Sequence, residues 1–138
     1  DFVFPEIDLE GVQWDKETEV RDMQFIDIGI YPLIDDEWVK GKSGLKAIQY
    51  MAFGLPIVAS NVGNTPNVIT NLENGLLVDS DEEWVLALEK LINNPILRRK
   101  LGLSARNKVI QKYSKDAISS EYLSVLEIPY SRASQHNG

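Results

Sequence analysis

Residues 27–60 read DIGIYPLIDDEWVKGKSGLKAIQYMAFGLPIVAS, and the order of their parts decides the fold. Ile28, Ile30 and Tyr31 form a short apolar run that Pro32 ends. A polar loop follows, rich in glycine and lysine. After Gly44, the residues Leu45, Ile48 and Ala52 recur along one helical face with Ala47 and Met51 beside them, and Gly54 with Pro56 stops the helix. A second apolar run, Ile57, Val58 and Ala59, begins at once. Strand, loop, helix, tight turn and strand make the unit of a parallel sheet.

The same alternation continues on both sides. Strands are expected at 2–4, 11–14, 26–31, 57–59 and 76–78, and several are apolar throughout, as strands covered by helices on both faces are. Ser80 and Glu83 have the spacing of a capping box, opening a helix whose apolar positions are Trp84, Val85, Leu88, Leu91 and Ile92. Asn94 and Pro95 read as the cap and first turn of another helix, striped by Leu97, Leu101, Ala105, Val109 and Tyr113. Ser114 can cap a last helix, reaching Leu126 and ended by Pro129. The expected architecture is one α/β domain over residues 1–130, a Rossmann-like doubly wound parallel sheet lacking its first strand or two, with a polar tail at 131–138. The chain opens at Asp1 and enters an apolar stretch, which reads as a cut through a longer polypeptide.

Composition narrows the function. Hydrophobic residues are 43% of the 138 and charged residues 25%, the balance of an ordinary globular domain. The absence of cysteine removes disulfides and thiolate metal sites, and the single His136 sits in the polar tail, so zinc and histidine chemistry are not expected. A net charge of -7 argues against nucleic acid as a partner. Neither a signal-peptide layout nor a membrane-spanning run is present in the sequence, which makes the cytoplasm the expected compartment. Arg98, Arg99, Lys100, Arg106, Lys108, Lys112 and Lys115 form a basic run without an intervening acid. It reads as a solvated helix face, with peripheral contact to an anionic inner membrane surface as the second reading.

The loop 41–46 has the parts of a phosphate site. In an open parallel sheet ligands lie beyond the carboxyl ends of the strands, where unpaired N–H groups at a helix start favour an anion. Gly41 and Gly44 admit close approach of the main chain, Ser43 offers a hydroxyl, and Lys42 and Lys46 add two positive charges. A structural turn accounts for glycine and lysine at this spacing as well. Asp35, Asp36 and Glu37 beside the loop read as solvated carboxylates rather than a metal site or an acid/base pair. Trp14 and Tyr31 read as core residues before they read as stacking surfaces for a base.

The wider pattern resembles the donor-binding core of the GT4 glycosyltransferases, the large family of retaining GT-B enzymes. It is closest to a subgroup with a GKxxxK loop followed by QYMAxGxPVVAS-like residues. Gly41, Lys42, Lys46, Gln49 to Ala52, Gly54, Pro56 and Ile57 to Ser60 carry that motif. Trp14, Glu17, Glu19, Asp27 to Ile30, Pro32 and Leu33 extend it upstream. Downstream it continues through Val62, Gly63, Pro66, Asn74 to Val78, Leu97, Arg98, Leu101 and Gly102. The resemblance covers roughly residues 10–115.

It implies the C-terminal half of a GT-B fold, and a substrate-binding set of Gly41, Lys42, Ser43, Gly44, Leu45, Lys46 and Gln49. Such enzymes move a sugar from a nucleotide-activated donor to an acceptor hydroxyl without a metal or other cofactor. The acceptor, a glycan or a lipid-linked sugar, and the catalytic residues are then expected on an N-terminal domain and on upstream segments outside this chain. Many members carry two glutamates eight positions apart around this helix; here Gly41 and Gln49 stand in their places, and Asn67 stands where an acidic residue is usual. The alternatives are a binding domain that kept the fold and lost the chemistry, or the related epimerases and phosphorylases, since a fold does not choose a reaction.

Overall fold

The computed structural model describes residues 6–40 and 44–116. Among the described residues the elements are, in order, α1 Glu19–Met23, β1 Gly29–Tyr31, α2 Glu37–Lys40, α3 Leu45–Ala52, β2 Ile57–Ser60, α4 Thr65–Val68, β3 Leu76–Val78, α5 Asp81–Ile92 and α6 Pro95–Lys112. The strands form one parallel sheet in the order β1-β2-β3. Ile30 pairs with Val58, and Ala59 with Leu77. A parallel sheet needs a crossover between strands, and α3 and α4 supply them.

Burial follows the two-residue period of a strand. Ile57 and Ala59 pack with Ala47, Met51, Val68, Ile69 and Ala105 on one face. Val58, Leu76 and Val78 pack with Ala87, Leu91 and Leu101 on the other. Both faces are therefore covered, as the expected doubly wound α/β arrangement requires, and every residue of β2 is buried. Helix α6 serves both layers, giving Leu101 to one and Ala105 to the other. Its crossing point is Gly102, where a Cβ would land on the Gly54 carbonyl oxygen in the α3–β2 turn.

The caps form as expected. Ser80 Oγ accepts from the Glu83 N–H at 3.2 Å, and Glu83 Oε2 accepts from the Asp79 N–H at 2.6 Å. Asn94 Oδ1 accepts from the Leu97 N–H at 2.9 Å. Part of the basic run of α6 works inside the fold. Arg98 Nη1 donates to the Leu91 and Ile92 carbonyls at the end of α5, and Arg106 Nη1 to the Ala52 carbonyl at the end of α3. Cations at helix C-termini are favoured in this way. Among the described residues no helix is long and apolar enough to cross a membrane.

Four expectations are corrected. Residues 11–14 form no strand and lie exposed, because no neighbouring strand among the described residues offers a ladder. The strand expected at 26–31 is only Gly29–Tyr31; Ile26 is still tied to the Met23 carbonyl behind α1, and pairing begins where the Gly29 N–H donates to the Pro56 carbonyl. The buried face of α3 is Ala47 and Met51, while Leu45 is 60% exposed. On α5, Ala87 and Leu91 are buried and Val85 and Ile92 point outward. The strand expected at 2–4, most of the helix expected after Ser114 and the tail 131–138 lie outside the described residues.

Candidate functional site

The carboxyl ends of the three strands lie at Tyr31, Ser60 and Val78. Two hydroxyls shape the main chain there. The Leu33 N–H donates to Ser60 Oγ at 2.9 Å, which turns the chain leaving β1 across the end of β2. Thr65, 1% exposed, donates from Oγ1 to the Ser60 carbonyl and accepts from the Val62 N–H at 3.2 Å. The turn from β2 into α4 is thereby locked beside the start of α3.

Gly44 is the last residue before α3, and its φ of 76° is in the left-handed region that glycine adopts without strain. A Cβ at Gly44 would also press on Val68 Cγ2 at 3.2 Å, so this position sits against α4. Gly41, Lys42 and Ser43 lie outside the described residues. Of the expected set, the structure places Gly44, Leu45, Lys46 and Gln49 around the first two turns of α3. Leu45 and Lys46 are exposed, and Gln49 is half-buried.

Lys46 and Tyr50 share a face of α3, four residues apart. With Trp14, Glu19 and Asp22 they line a cavity of about 520 Å³, within the usual ~300–1,000 Å³ range of small-molecule sites. The Lys46 ammonium lies 5.3 Å from the centre of the Tyr50 ring. Burial raises the Tyr50 pKa, so the phenol stays neutral at physiological pH. Glu10 and Asp15 also reach the cavity, which gives it a wall of carboxylates facing one lysine. Carboxylates accept hydrogen bonds from hydroxyl groups, and an ammonium donates to an oxyanion. The arrangement suits a ligand with a polyhydroxylic part and an anionic part.

The other expected residues divide. Tyr31 packs in the first core layer, as read. Trp14 does not: it is 69% exposed at the cavity, so the core reading is corrected in favour of a free aromatic face. Asp35, Asp36 and Glu37 are exposed. Asn67 donates to Asn64 Oδ1 at 2.9 Å, and its carbonyl accepts from Lys108 Nζ at 3.5 Å. Burial lowers the Lys108 pKa, Lys112 adds to that effect and Glu73 opposes it. Missed by the sequence reading is the seat of Tyr50 on Gly29, where a Cβ would come within 2.7 Å of the ring. Its signal was present as a glycine opening an apolar strand, with a Lys–Tyr pair at i, i+4 on the following helix.

Residues 23–108 match the family described as Glycosyl transferases group 1. The D-inositol 3-phosphate glycosyltransferase of Rhodococcus jostii (strain RHA1) is 44% identical over 54 residues, 38% of this chain and 12% of that protein. Sucrose-phosphate synthase 4 of Arabidopsis thaliana is 39% identical over 89 residues, 61% of this chain and 8% of that protein. Among solved structures, the sucrose-phosphate synthase of Thermosynechococcus elongatus superposes with a TM-score of 0.71 at 25% identity. That match covers 87% of this chain and 29% of the synthase. The C-terminal domain of the group 1 glycosyl transferase LpcC from Francisella tularensis gives 0.64 at 26% identity, covering 77% and 53%. The chain thus spans a small part of the curated relatives named here.

Proposed function

The chain belongs to the group 1 glycosyl transferases, and we propose that it is the donor-binding domain of a retaining GT-B enzyme that moves a sugar from a nucleotide-activated donor to an acceptor hydroxyl. The observation that carries this reading is the lysine at the head of α3, Lys46, which lines a cavity of about 520 Å³ together with Trp14 and the carboxylates of Glu19 and Asp22. Donor chemistry requires a charge there. When the glycosidic bond to the nucleotide breaks, negative charge grows on the departing diphosphate, and fixed donors or cations that meet it lower the barrier.

Each residue then has a task. Lys46 pairs with the diphosphate, Gly44 lets the preceding loop turn onto it, and Leu45 contributes its main-chain N–H at the helix start. The Gln49 side-chain amide, which makes no hydrogen bond among the described residues, meets the ribose hydroxyls. Carboxylates of the cavity wall hold further hydroxyls, and the face of Trp14 receives the base. Gly41, Lys42 and Ser43 are assigned to the phosphates from the resemblance alone. Departure without a metal, and a glycan or lipid-linked acceptor supplied from another domain, complete the proposal.

Calorimetric titration of a panel of nucleoside diphosphates tests it. One nucleotide should bind the full-length protein saturably, and Lys46→Ala should weaken it by roughly 1–3 kcal/mol, the scale of a charge-assisted contact. The exposed Lys46 makes no folding contact of that size, so the melting temperature should hold. Unchanged affinity in Lys46→Ala sinks the phosphate assignment.

A further inference from the structure

The cavity beside α3 holds one cation and several carboxylates, yet they do not neutralise one another. Glu10, Asp15, Glu19 and Asp22 all line it together with Lys46. Among the described residues the ion pair within reach is Arg21 with Asp22, at 3.7 Å. Lys46 instead stands over the Tyr50 ring, 5.3 Å from its centre, inside the ~6 Å range in which a ring face attracts a cation. An exposed ion pair and a cation–π contact are of similar strength, so a ring fixed in place can outcompete a mobile carboxylate.

The ring is fixed. Side chains on a helix lean toward its N-terminus, which brings residue 50 under residue 46 one turn earlier. On its own side the ring meets bare main chain at Gly29 on β1; any Cβ there would stand 2.7 Å from Cγ and 2.9 Å from Cδ2. Strand, aromatic ring and ammonium therefore form one continuous contact from the sheet to the cavity.

We infer that Tyr50 is a positioning residue that, seated on Gly29, holds the Lys46 ammonium clear of the cavity's carboxylates and so keeps its charge available to an anionic group of the ligand. The inference rests on the function proposed above for the ligand itself. Lys46 makes the contact, and Tyr50 acts through it. The ring face is what matters, so the phenolic hydroxyl is dispensable and an aliphatic side chain of similar bulk is not a substitute.

The test has a spectroscopic arm and a binding arm, both in the full-length protein. Protons of the Lys46 ε-methylene should be shifted upfield by the ring current in the wild type and in Tyr50→Phe, and should return to the ordinary lysine position in Tyr50→Leu. Nucleoside-diphosphate affinity should be unchanged in Tyr50→Phe and fall roughly three- to fivefold in Tyr50→Leu. That fall should vanish when Tyr50→Leu is made on a Lys46→Ala background. An unshifted Lys46 in the wild type overturns the inference without needing any variant to fold. An equal loss on the Lys46→Ala background overturns it too, because Tyr50 would then act only on the fold. A shifted Lys46 in a protein that binds no nucleoside diphosphate overturns the proposed ligand, and the positioning role with it, while the stack itself stands.

Discussion

At the scale of single residues, the fold depends on places where a side chain is absent because another part of the chain occupies its space. Gly102 is the sharpest case. It lies in the middle of α6, where glycine costs helix stability relative to alanine, so a local argument favours replacing it. The crossing of α6 over the α3–β2 turn decides otherwise, since a Cβ would land on the Gly54 carbonyl oxygen. That neighbour is main chain at a turn whose own geometry is set by Gly54, with a φ of 70°, and it cannot rotate away as a flexible side chain would. Gly102→Ala should therefore destabilise the chain by about 2–3 kcal/mol, the upper part of the usual range for overpacking. Urea unfolding monitored by circular dichroism would show it as a lower midpoint with an unchanged slope. A neutral or stabilising Gly102→Ala would mean that α6 does not touch the turn.

Elements that announce themselves in the sequence are those with a cap, an apolar period or a fully buried run. Helix α5 has the first two, and Ser80 both caps it and follows the last residues of β3. Ser80→Ala removes the acceptor of the Glu83 N–H and should cost about 1 kcal/mol. Glu83 would still accept from Asp79, so the helix should persist with a frayed first turn, seen as faster amide exchange at residues 81–84. Equal exchange in both proteins would count against the cap. Strands β2 and β3 were legible because burial on both faces leaves an apolar run bounded by turn residues. Helices α1 and α2 were not, being four or five residues long and without a stripe. The segment 11–14 misled in the opposite direction, since an apolar pattern makes a strand only where a partner strand exists. For the site, the glycine and lysine pattern pointed to the start of a helix, and Gly44 and Lys46 do lie at the head of α3. It could not show that Tyr50 reaches β1, because that contact joins residues 21 positions apart through a glycine with no side chain to signal it.

At the scale of the molecule, the proposed donor site would have one wall if it were built from this chain alone. Lys46 is exposed at the head of α3, and Trp14, largely exposed, lines the same cavity. The match to the Thermosynechococcus elongatus synthase covers 87% of this chain but 29% of that one, so most of that protein has no counterpart in these 138 residues. Transfer of a sugar demands that water be kept from the reacting carbon and that an acceptor hydroxyl be held in line with it, both of which an enclosing second domain supplies. Closure also completes the electrostatic contacts to the leaving group, which are weak while solvent can reach them. The 138-residue chain by itself should therefore bind a nucleoside diphosphate weakly and transfer no sugar. Incubating it with nucleotide sugars and candidate glycan or lipid acceptors, and following release of the nucleoside diphosphate, measures this directly. Weak saturable binding without turnover is the expected result. Turnover by this chain at a rate near that of the full-length protein would place the catalytic groups within residues 1–138, and the division of labour proposed here would fail.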